Sequence, residues 1–185
     1  MKTFKFIMLL IAGFVAISCG QDRSKLPNLP YYDYEDMVYT DEESVNDEET
    51  INIPYIEQDG VKYIMAKING VNIDMIFDTG CSQTLISMLE AQMLKKKGLL
   101  TENDYIGNSK SIIADGSIVE NMLFNIKSLE LTDGIRTIVC ENVVVQVSSN
   151  IEAPVLLGNE VLDRVASYTI DNENNIIKFK LKEGE

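Results

Sequence analysis

The sequence predicts an all-β domain with one or two short helices, and three observations carry that expectation. From about residue 51 onward, short apolar runs alternate with turn pairs. The pairs Asp59-Gly60, Asn69-Gly70, Asp115-Gly116 and Asp133-Gly134 each stand between two such runs. These dipeptides accept the positive φ that tight hairpin turns require, so each marks a hairpin. Only one window carries a firm helical signature.

Strands are expected near 51–57, 61–68, 71–77, 83–86, 110–114, 117–131, 135–147, 154–157, 166–171 and 175–181. The helix is marked by Ser87 and Glu90, spaced as a capping box, with Met88 to Lys97 following and Gly98 placed to close the end. A second short helix is expected from Asn159 to Arg164. Many short strands with few helices argue for a closed or sandwiched sheet. No domain-scale duplication is visible, so 51–185 reads as one domain.

Composition narrows the chemistry. The chain has 185 residues, 45% of them apolar, which is normal for a protein with a core. Its formal net charge is -13 and its pI near 4.4, which argues against nucleic acid as a partner. Histidine is absent. That removes Ser-His-Asp and Cys-His catalysis, His-ligated zinc and the usual neutral-pH base. Hydrolytic chemistry in this chain must run on carboxylates, lysine or thiols. No Asp-x-Asp-x-Asp-Gly loop is present, so calcium is not expected, and no metal or cofactor is called for.

The two ends of the N-terminal region read differently. Lys2 and Lys5 precede an apolar run, Phe6 to Val15, that is too short to span a bilayer comfortably. It leads into Ala16-Ile17-Ser18-Cys19, which resembles the bacterial lipobox. The resemblance implies a signal peptide over 1–18, acylation of Cys19, and a lipid-anchored protein of the bacterial cell envelope. An ordinary secretory signal and an uncleaved anchor are the alternatives. Residues 19–50 read as an acidic flexible tether, with nine Asp or Glu and no Lys or Arg from Asp33 to Glu49. A spacer, a propeptide and a merely solvated linker all fit that stretch. Cys81 and Cys140 remain; export permits a disulfide, but two small buried apolar thiols are the expectation.

The motif with chemical content is Met75-Ile76-Phe77-Asp78-Thr79-Gly80-Cys81-Ser82. It sets an acid directly after a strongly apolar strand, on a turn where glycine lets backbone amides approach the carboxylate. An acid there needs hydrogen bonds or a function to offset desolvation. A solvated loop acid would be the plain alternative for Asp-Thr-Gly taken by itself.

Its surroundings decide the matter. The order hairpin (Ile68-Asn69-Gly70-Val71), Asp78-Thr79-Gly80, strand (Thr84-Leu85-Ile86), hairpin (Ile112-Ile113-Ala114-Asp115-Gly116-Ser117) and Val155-Leu156-Leu157-Gly158-Asn159-Glu160 resembles the retropepsin-like aspartic proteases, the retroviral enzymes and their bacterial single-domain relatives. The likeness spans roughly 60 to 182. It implies a closed β-barrel-like fold and peptide-bond hydrolysis. It carries over Asp78 as the catalytic aspartate, Thr79 and Gly80 as support of its loop, and Asp115-Gly116 as the tip of a flap over bound peptide. One Asp-Thr-Gly per chain implies a homodimer with a shared dyad. Cys81 departs from the usual Ala or Ser, and Ser82, Gln83 and Asn159 replace the charged residues that pair near the retroviral dimer interface. A peptide-binding protein without catalysis and a structural envelope lipoprotein are the competing readings.

Overall fold

The computed structural model describes residues 50–113 and 115–182. The signal segment, Cys19 and the acidic tether lie outside the described residues. The chain runs β1 (Thr50–Gln58), β2 (Val61–Ile68), β3 (Val71–Phe77), β4 (Thr84–Ile86), α1 (Met88–Lys96), a 3-10 turn (Glu102–Asp104), β5 (Tyr105–Ile112), β6 (Ile118–Thr132), β7 (Thr137–Val147), β8 (Leu156–Leu157), α2 (Asn159–Leu162), β9 (Ser167–Asp171) and β10 (Ile176–Lys180).

All ten strands join one sheet in the order β5-β6-β7-β4-β8-β3-β2-β1-β10-β9. A further pairing of β6 with β2, Lys67 against Glu130 and Ile68 against Leu129, closes the six strands β6-β7-β4-β8-β3-β2 into a ring of pairings. Such closure removes free strand edges from the middle of the sheet.

Turn chemistry sets the registers. Asp59 with Gly60, and Asn69 with Gly70, all adopt positive φ, as two-residue hairpins require. At the other two turn pairs only Gly116 and Gly134 do so, within longer connections. Asn69 has a second role. Its Oδ1 accepts from Lys127 N and Ser128 N at 2.9 and 3.1 Å, and its Nδ2 donates to Leu99 O at 2.6 Å. The hairpin tip is thereby pinned to β6 where the ring closes.

α1 starts as expected. The Ser87 hydroxyl accepts from Leu89 N at 3.0 Å, and the Glu90 carboxylate accepts from Ser87 N at 3.2 Å. At the other end Gly98 takes φ +71. Two expectations need correction. β5 begins at Tyr105 rather than near 110, because Tyr105 to Asn108 pair with β6 despite a bulge and a polar sequence. α2 ends at Leu162 and not Arg164: Asp163 N still donates to Asn159 O at 2.8 Å, but Arg164 N donates to Val161 O at 3.0 Å, three residues back, so the chain leaves the α-helical pattern.

Candidate active site

Alternation along β3 decides where the acid points. Ile73, Met75 and Phe77 are buried, while Asn72 and Asp74 face out. Phe77 stacks edge-on against Tyr168, with ring centres 5.2 Å apart, and against Phe179 at 6.3 Å. Asp78 follows on the opposite parity from Phe77 and is half-buried.

The Asp78 turn is held from three sides. Asp78 N donates to Leu157 O at 3.1 Å, and Ile76 N to Val155 O at 2.8 Å, so β8 lies parallel to β3 and inserted between β3 and β4. Gly80 N donates to Asp78 Oδ1 at 2.8 Å, which fixes the carboxylate. A Cβ at Gly80 would stand 3.2 Å from that same oxygen. A side chain here would press on the Asp78 carboxylate and shift it, although Gly80 itself does not adopt positive φ. Beyond it, Asn159 N donates to Cys81 O at 2.8 Å and Glu160 N to Ser82 O at 3.1 Å. The Asn159 side chain donates to Thr79 O at 3.0 Å. Gly158-Asn159-Glu160, 80 residues away in sequence, thus forms a cradle for the loop.

Cys81 and Cys140 form no disulfide, as expected, but only Cys140 is buried as expected. Cys81 is not fully buried; its Sγ donates to Gln83 O at 2.8 Å. Burial pushes its pKa up, and the neighbouring Asp78 carboxylate adds to the effect.

An open cleft of about 410 Å³ adjoins Asp78 and Thr79. Val61, Ile76, Pro154, Leu156 and Ile170 give it apolar walls, and Lys62 lines it too. Lys62 is tied to Glu57 at 2.9 Å and lies 4.9 Å from the centre of the Tyr55 ring.

Asp78, Thr79 and Gly80 are therefore together at one turn, while Asp115 and Gly116 occupy the tip of the separate β5–β6 hairpin. Asp115 Oδ1 accepts from Ser117 N at 2.8 Å. No described hydrogen bond joins Asp115 to Asp78. Around that tip Ile112, Ile113 and Ile118 are exposed, which is unusual for three isoleucines in so short a segment. Among the described residues no cluster of side chains could hold a metal ion.

A β-ring with one carboxylate cradled at a strand end, beside an apolar cleft, defines an aspartic-peptidase architecture. The sequence model of the family described as "gag-polyprotein putative aspartyl protease" matches residues 64–164, which include the Asp78 turn, the hairpin and Gly158. The chain belongs to that family and is an aspartic-type peptidase. It is similar in fold to a retropepsin-like aspartic protease from Rickettsia conorii, with 20% sequence identity and a TM-score of 0.50 over 72% of this chain and 92% of that one. No curated protein matches the chain. The retropepsin-like, mainly β architecture expected from the motifs is the one found.

Proposed function

We propose that this chain is an endopeptidase whose catalytic carboxylate is Asp78, paired across a homodimer with Asp78 of the partner subunit. The observation that carries the reading is the Asp78 carboxylate itself, fixed by Gly80 N and opening onto an apolar cleft, with one such turn per chain. Amide hydrolysis needs a base for the attacking water and an acid for the departing nitrogen. Two carboxyl groups sharing one proton supply both, because neighbouring like charges resist ionising together.

In this scheme the ionised carboxylate takes a proton from water as the water oxygen bonds to the peptide carbonyl carbon. The other carboxyl gives its proton to the carbonyl oxygen. On collapse the newly protonated carboxyl passes its proton to the departing nitrogen as the C–N bond breaks. A hydroxyl of the gem-diol gives its proton to the other carboxylate as the product C=O forms, so the dyad again holds one proton. Thr79 and Gly80 are exposed in one chain, which suits a surface that a second copy covers. An extended peptide would lie between the Asp78 turn and the Asp115-Gly116 flap, with apolar side chains in the cleft and its main chain bonded to strand edges.

Dilution and mixing test the shared dyad. Specific activity should rise with enzyme concentration and level off once dimer dominates. Excess Asp78→Asn chain should suppress wild-type activity as subunits exchange. A flat dilution curve, with an unaffected mixture under demonstrated exchange, would exclude the dimeric site.

The lipobox-like Ala16-Ile17-Ser18-Cys19 supports anchoring to the cell envelope through acylated Cys19. Cys19→Ala should then release the protein from the membrane fraction, and retention there would contradict the anchor.

A further inference from the structure

Among the described residues only five polar or charged side chains are buried, and two of them, Asn121 and Gln146, bond to each other. Gln146 interrupts the apolar end of β7. Its neighbours Val145 and Val147 face the core, so alternation turns the carboxamide to the opposite side of the strand. It is nonetheless only 8% exposed. A buried carboxamide is costly unless it is hydrogen-bonded, and here its oxygen accepts two bonds and its nitrogen donates one.

The partners come from the two parts of the site. Asn121 Nδ2, on β6, donates to Gln146 Oε1 at 2.6 Å, and Ser111 Oγ, on β5, donates to the same oxygen at 3.0 Å. One acceptor atom therefore holds both strands of the β5–β6 hairpin at its neck, just before the exposed tip. On the other side Gln146 Nε2 donates to Gln83 Oε1 at 2.6 Å. Gln83 closes the Asp78 loop: its carbonyl accepts the Cys81 thiol proton and abuts Gly158.

We infer that Gln146 is a positioning residue that clasps the flap hairpin to the Asp78 loop, so that the flap's placement over a bound peptide depends on the relay Ser111 and Asn121 to Gln146 to Gln83. The clasp is geometric and local. Its consequence for catalysis rests on the peptidase reading above; its existence does not. The flap tip beyond the neck has few anchors of its own: Ile112, Ile113, Asp115, Gly116, Ser117 and Ile118 are all exposed. Ser109, on the same face of β5 as Ser111, has a buried Oγ with no partner. It therefore serves as the natural control.

The test combines kinetics with amide hydrogen exchange on the full chain. Gln83→Leu, which removes the one Gln83–Gln146 bond, should raise KM for a peptide substrate about tenfold with kcat nearly unchanged, and Gln146→Leu, which removes three bonds, should raise KM at least as much. The double variant should be no worse than Gln146→Leu alone, because both substitutions cut the same relay. Gln83→Glu keeps an acceptor for Gln146 Nε2 and should restore KM, whereas Ser109→Ala should alter neither constant. In parallel, exchange of amides in 109–121 should quicken in Gln83→Leu and Gln146→Leu, with β2 and β3 unaffected. Gln83 is half-buried, so its variant answers the question even where Gln146→Leu does not fold. Additive KM effects, equal losses in kcat and kcat/KM, or flap exchange identical to wild type would each overturn the clasp. Should the wild type cleave nothing while flap exchange responds as stated, the clasp stands and the peptidase reading falls.

Discussion

Gly158 lies so close to Gln83 that a Cβ on the glycine would stand 2.5 Å from the Gln83 carbonyl oxygen and 2.9 Å from that of Cys81. These are main-chain atoms on both sides, so neither can swing away as a side-chain end could. Contact this tight lets Asn159 N and Glu160 N reach the Cys81 and Ser82 carbonyls. Gly158→Ala should therefore cost on the order of 1–3 kcal/mol through overpacking, and should loosen the Asp78 turn as well. Urea unfolding at fixed protein concentration measures the first, activity the second. A stability change within about 0.5 kcal/mol, the range of ordinary surface substitutions, would show that the cradle yields easily.

Asp78→Asn separates chemistry from folding. The asparagine Oδ1 can still accept from Gly80 N, so the loop should persist and the thermal midpoint should stay near that of the wild type. Turnover should fall by at least about 10²-fold, because an amide cannot relay the proton. Retention of near-wild-type turnover would remove Asp78 from the catalytic role.

The Cys81 thiol is expected to resist alkylation. Burial raises its pKa above the ordinary 9.0, with the Asp78 carboxylate adding to the shift. Little thiolate then exists at neutral pH, and thiolate is the reactive form. Labelling by iodoacetamide followed by mass spectrometry should be slow at pH 7.5 and climb in strong alkali. Labelling should be faster in Asp78→Asn, where the repelling charge is gone. The raised pKa also fixes the sign of its linkage to stability: the contribution is complete below the unfolded thiol's pKa and lost as pH rises through the folded one. Equal labelling rates in the two proteins would mean that Asp78 does not act on the thiol.

Asp115 should keep the flap turn intact in mild acid. The Ser117 hydroxyl and amide hold its carboxyl below the ordinary 3.8. Because the folded pKa is depressed, the stabilisation is present above the unfolded pKa and lost as pH falls through the folded one. The Ser117 amide should thus stay protected from exchange at pH values where a free aspartate begins to protonate. Asp115→Ala should abolish both that protection and its pH dependence. Protection unchanged in Asp115→Ala would assign the turn to Gly116 alone.

Much of this architecture is local and therefore legible in the chain. Asp59-Gly60 and Asn69-Gly70 fix hairpins because few other residues tolerate positive φ at both positions. Ser87 and Glu90 announce the start of α1 through a capping exchange three residues long. Alternation in Val71–Phe77 announces which side chains enter the core, and so the face on which Asp78 emerges.

What tertiary structure alone decided involves atoms distant in sequence. Nothing local says that Leu156 and Leu157 slot in parallel to β3, or that Asn159 reaches Thr79 O. The start of β5 is not legible in the chain because Tyr105 to Asn108 lack an apolar alternation; pairing with β6 makes them a strand. Gln146 left one trace, a lone polar residue in Val143-Val144-Val145-Gln146-Val147, but its meaning required Ser111, Asn121 and Gln83 around it. The sequence by itself determined the turns, the strand faces and the Asp-Thr-Gly loop, since dihedral preference and period-two burial act over a few residues. Only the folded sheet decided which carbonyls and carboxamides meet that loop, because a hydrogen bond between distant segments depends on register across the whole ring.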